Sequence, residues 1–93
     1  NVFIRPDVIF AAETNGQERF YFLEIDYMQK MINNKKKIEK YASLQEKGLL
    51  QRSLGYFPTI IFITTSDMRK QKLTKECQRY GVPHQIYTLD ELK

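Results

Sequence analysis

Along the first third of the chain, polar and apolar residues alternate with the two-residue period of strands. Val2 to Phe10 reads as one strand, with Pro6 tolerated if the strand lies near a sheet edge there. Arg19 to Asp26 alternates again and is rich in aromatic residues, so it reads as a partner strand. Asn15-Gly16 between them is a strong hairpin signal, because a type I′ turn needs positive φ at both central residues. From about Met28 to Glu46 the period becomes helical: Ile38, Tyr41, Ala42 and Gln45 share one arc, with Asn34 one turn back. Gly48, Gly55 and Pro58 end this helix or mark the loop after it. Thr59 to Thr65 is a β-branched run bounded by Pro58 and Ser66-Asp67, predicted as a strand buried on both faces. Ser66 or Asp67 can cap a helix running to about Tyr80, stopped by Gly81 and Pro83. His84 to Leu89 reads as a last strand, and Asp90 to Lys93 as the start of a helical turn. The order β-β-α-β-α-β predicts an α/β fold, an antiparallel hairpin followed by crossover units on a mixed sheet.

The turn predicts a register. With Asn15 and Gly16 at its centre, Thr14 lies opposite Gln17, Ile9 opposite Phe22, and Val8 opposite Leu23. Continued outward, the register sets Asp7 opposite Glu24 and Arg5 opposite Asp26. Directly opposed side chains have Cβ atoms about 4.5–5.5 Å apart, where two like charges destabilise a sheet unless something compensates them. A divalent cation does so when both carboxylates reach it. Glu24 and Asp26 share one face of their strand, so three carboxylates are expected on one patch of sheet. The competing expectation is a set of solvated charges on an exposed face, with Asp26 pairing across the hairpin with Arg5.

Composition narrows the chemistry. At 93 residues the chain is one domain, residues 1–93, with a small core. It opens at Asn1, not Met, directly into strand-like sequence, and so reads as a fragment of a longer protein. The longest apolar run, Thr59 to Ile63, falls far short of the roughly 20 residues that span a bilayer. Cys77 is the single cysteine, which excludes an internal disulfide and a cysteine-based zinc site and fits a reducing cytoplasm. His84 is the single histidine and has no partner set for nucleophilic catalysis. Any metal is therefore a hard cation held by carboxylates, Mg²⁺ or Mn²⁺. The net charge of +4 is unevenly spread: residues 1–26 sum to −3, residues 27–57 to +5, and residues 66–80 to +3. An acidic segment that concentrates a cation is followed by two basic ones that attract a polyanion such as DNA.

A metal-dependent nuclease also benefits from an ammonium near the attacked phosphate. On a helical wheel Lys36 and Lys40 face away from the apolar arc, while Lys35 and Lys37 lie at its two margins. Lys35 and Lys37 are thus the two lysines able to reach back over the sheet, and the wheel does not choose between them.

Taken together, Arg5-Pro6-Asp7, Glu24-Ile25-Asp26 and Lys37-Ile38-Glu39-Lys40-Tyr41 resemble the replication-relaxation family of bacterial plasmids and mobile elements. More distantly, they resemble the restriction-endonuclease-like PD-(D/E)xK superfamily. The resemblance implies a restriction-endonuclease-like core, metal-binding roles for Asp7 and Glu24, and the lysine role for Lys37. It also implies a role in DNA processing, with a winged-helix region ahead of this domain. One departure is plain: the superfamily pattern has a lysine two residues after the second acid, where this chain has Asp26. Either the lysine function has moved to Lys37 or the site no longer cuts.

Two functions follow as expectations. One is a Mg²⁺- or Mn²⁺-dependent DNA phosphodiesterase using Asp7, Glu24 and Lys37, with Asp26 as an extra metal ligand or orienting group. The other is an inactive nuclease-like module that binds DNA or a protein partner. The remaining candidates read as structural: the aromatic residues and Cys77 as packing, Thr64 and its neighbours as framework. Arg69, Lys70, Lys72, Lys75 and Arg79 read as a solvated helix face.

Overall fold

The computed structural model describes residues 4–93. Strand β1 (Val8–Thr14) turns through Asn15 and Gly16 into β2 (Gln17–Ile25). Asn15 has φ 53° and Gly16 has φ 80°, the pair of positive angles that a type I′ turn requires. The ladder pairs Thr14 with Gln17 through to Val8 with Leu23, in the register the turn predicts. β1 begins at Val8, so Ile4 to Asp7 are not in a strand; the part of the expected strand at residues 2–3 lies outside the described residues.

Helix α1 (Met31–Lys47) follows and ends at Gly48, whose φ of 74° suits glycine at a helix C-terminus. It starts three residues later than the pattern suggests, because Met28 takes a left-handed φ of 60° and the Gln29 side chain donates to the Ile25 carbonyl. A short helix α2 (Leu49–Leu54) occupies the segment expected to be loop. Strand β3 (Thr59–Thr64), helix α3 (Asp67–Tyr80) and strand β4 (His84–Thr88) complete the fold, with a 3₁₀ turn at Asp90–Leu92. Ser66 caps α3 by accepting from the Arg69 N–H at 3.2 Å.

The strands form one mixed sheet in the order β1-β2-β3-β4, antiparallel in the hairpin and parallel thereafter. In β3 the even positions Ile60, Phe62 and Thr64 are buried, whereas Thr59, Ile61 and Ile63 are half-buried. The expectation of burial on both faces fails because the covering helices bury one side of the strand only. The core on that side joins Phe22, Ile60, Phe62 and Ile86 of the sheet to Ile38 and Tyr41 of α1 and Leu73 and Cys77 of α3. Burial of each such large side chain contributes about 1.5–3 kcal/mol, which docks α1 on β2 and so fixes which α1 side chains reach the strand.

Candidate metal and phosphodiester site

Glu24 follows Phe22 along the helix-facing side of β2, Asp26 stands one residue beyond the strand, and both are buried, 3% and 1% exposed. This overturns the picture of solvated charges on an open face. Asp7 is exposed and stands one residue before β1, where the hairpin register continued outward sets it against Glu24. Its Oδ2 accepts the Ile25 backbone N–H at 2.8 Å, so the carboxylate is drawn onto the end of β2.

Glu24 is gripped from α1. Lys37 Nζ donates to one carboxylate oxygen at 2.5 Å, and the Tyr41 hydroxyl donates to the other. Burial pushes the Glu24 carboxyl above its usual range; Lys37 and Tyr41 pull it back only in part, and the nearby Asp7 charge adds to the rise. The Tyr41 phenol is in turn pushed up by burial and by its bond to Glu24. Of the two marginal lysines, Lys37 therefore belongs to the site. Lys35 turns the other way, to Glu76 of α3 at 3.5 Å.

Asp26 has a different environment. Arg69 of α3 clasps it with two hydrogen bonds, Nε to Oδ2 at 2.7 Å and Nη2 to Oδ1 at 2.8 Å. Thr64 donates to Oδ2 at 2.6 Å and Asn34 to Oδ1 at 2.9 Å. Burial raises the Asp26 carboxyl, but the bonds from Arg69, Thr64 and Asn34 outweigh it and hold it below the usual carboxylate range. The expected pairing with Arg5 is thus replaced by Arg69, and Arg69 is not on a solvated helix face. The expected convergence of three carboxylates also fails: among the described residues no group of three His, Cys, Asp or Glu is arranged to hold a metal ion. Asp26 is committed to joining β2, β3, α1 and α3, and Arg69 extends the tie to the Gln29 carbonyl at 2.6 Å.

What remains is Asp7 beside Glu24. Mg²⁺ and Mn²⁺ take oxygen ligands, and Mg²⁺ commonly uses one or two carboxylates with water and substrate phosphate completing the shell. Asp7 is open to solvent, and each Glu24 oxygen accepts one described hydrogen bond and keeps a lone pair. Asp7 and Glu24 are thus oxygen donors of the kind a hard cation takes, with the Lys37 ammonium already on one Glu24 oxygen. The sequence pattern does not mark Tyr41 and Asn34 as polar partners, since both lie on the apolar arc of α1. The available signal was spacing: Lys37 and Tyr41 are four apart and share a helix face.

Compared with protein-family models, curated proteins and solved structures, the chain matches none. Among the described residues no helix is long and apolar enough to cross a membrane.

Proposed function

We propose that this domain processes DNA by divalent-metal-assisted hydrolysis of a phosphodiester, in the manner of the replication-relaxation and PD-(D/E)xK proteins that its motifs resemble. The observation that supports this reading is the meeting of Asp7, Glu24 and Lys37 at one end of the hairpin. Asp7 and Glu24 would hold Mg²⁺ or Mn²⁺. When bound, the cation lowers the pKa of a coordinated water and draws charge from the attacked phosphate. Lys37, held on Glu24, is placed to orient that water or to stabilise charge developing on the phosphate oxygens. Tyr41 positions Glu24, and Asp26 with Arg69 anchors the strand end that carries it.

A second reading has its own support. Lys37 already balances the Glu24 charge, and Asp26, standing where the superfamily pattern has lysine, is sequestered by Arg69. On that reading the domain binds DNA or a protein partner without cutting it.

A plasmid nicking assay with Mn²⁺ separates the two. The first reading expects nicking by the wild-type chain and its loss in Glu24→Ala. Absence of nicking by the wild type favours the second, and cleavage that persists in the variant removes Glu24 from the chemistry.

A further inference from the structure

Beside the carboxylate pair, the segment before β1 and the first turns of α1 enclose a cleft of about 370 Å³ lined by Ile4, Arg5, Asn33, Lys36, Lys37 and Lys40. Four of these six residues are cationic, and Lys37 is shared with the Glu24 site. Arg5, Lys36 and Lys40 make no salt bridge with any described residue. Lys36 and Lys40 are exposed and lie one helical turn apart, so their ammonium groups repeat along the cleft wall. The acid between them in sequence, Glu39, is taken by the Tyr80 hydroxyl of α3 at 2.8 Å. Asn33 adds a neutral amide with two donors. Like charges gathered without partners repel one another, and a bound polyanion relieves that repulsion.

We propose that this cleft binds the phosphodiester backbone of a nucleic-acid strand, with Arg5, Lys36 and Lys40 each facing a phosphate oxygen and Asn33 donating a further hydrogen bond. The ligand chemistry is the anionic phosphate. A strand lying in the cleft passes directly beside Asp7 and Glu24, because Arg5 is two residues from Asp7 and Lys37 joins the cleft to Glu24. The inference deepens the DNA-processing reading but does not require cleavage.

The test is fluorescence-anisotropy titration of a labelled single-stranded oligonucleotide with the 93-residue chain in EDTA, across a range of salt. The variants are Lys36→Gln/Lys40→Gln in the cleft and, as a control with the same charge loss, Lys72→Gln/Lys75→Gln on α3. The cleft variant is expected to bind at least about tenfold more weakly and to flatten the dependence of log K on log salt by about one to two, while the control changes affinity less than about threefold. Inorganic phosphate at millimolar level should compete weakly, as a single anion replaces only one of several contacts. Failure of the wild type to bind, or equal losses in both double variants, overturns the cleft as a site. Full competition by millimolar phosphate overturns the strand as its ligand in favour of a small anion. Because binding is read without metal, these outcomes are independent of whether the plasmid is nicked.

Discussion

Lys37 and Tyr41 lie one turn apart on α1 and each donates to a different oxygen of Glu24. A buried carboxylate is thereby held in one orientation by a helix whose own position depends on the packing of Ile38 and Tyr41 against the sheet. Removal of the Tyr41 hydroxyl alone, in Tyr41→Phe, keeps the packing but leaves one Glu24 oxygen unsatisfied. Urea unfolding should show a loss of about 1–3 kcal/mol with an unchanged m-value. A change below a few tenths would mean that the bond contributes nothing.

Glu24 and Asp26, two residues apart at the C-terminal end of β2, should bend the stability profile in opposite senses. Burial raises Glu24 above its ordinary value of 4.5, so the native state holds the proton more tightly than the unfolded chain. Its contribution is fully present below that value and is lost as pH rises through the raised one. Asp26 is held below its ordinary 3.8, so its contribution is present above that value and lost as pH falls through the lowered one. In metal-free buffer, Glu24→Gln should remove the decline on the rising side and Asp26→Asn the decline on the acid side. Unfolding titrations at a series of pH values check both; parallel curves for wild type and variants would contradict the assignment.

The Asp26–Arg69 clasp predicts an asymmetry between breaking a buried pair and replacing it. Arg69→Ala leaves a carboxylate, 1% exposed, without its counter-charge and should cost about 3 kcal/mol. The double replacement Asp26→Leu/Arg69→Met removes both charges and should cost less than Arg69→Ala alone. Chemical denaturation of the three proteins decides this, and a double variant less stable than the single one would show that the tie itself holds the fold.

The two marginal lysines should separate by function. Lys37→Met removes the ammonium on Glu24 and should abolish Mn²⁺-dependent nicking, while Lys35→Met loses a half-exposed partner of Glu76 and should leave the rate within about threefold. Rates measured side by side on one supercoiled substrate check this, and equal losses would point to a general charge effect.

Much of this arrangement was legible in the sequence where local rules govern. Asn15-Gly16 demands one turn type, that turn demands one register, and the register brings Asp7 to Glu24. Four glycines at positive φ likewise marked the hairpin and the helix ends. What escaped was set by tertiary packing. Lys35 and Lys37 flank the apolar arc alike, and only the placement of β2 and α3 gives one Glu24 and the other Glu76. Asp26 had an obvious neighbour across the hairpin in Arg5, yet its partner, Arg69, is 43 residues away on a helix that the pattern left solvated. Helix α2 has six residues, too few to show a helical period. The one-sided burial of β3 depends on where the covering helices pack, which its β-branched run does not encode. Tyr41 reads as core because it is core; its hydroxyl acquires a role only when α1 docks beside Glu24.

The most direct test of the account is isothermal titration of Mn²⁺ into the wild-type chain, Asp7→Asn and Glu24→Gln. The account predicts binding by the wild type and a weakening of at least about tenfold, or about 1.4 kcal/mol, in each variant. Equal affinity in all three proteins, or no heat of binding in the wild type, would contradict it.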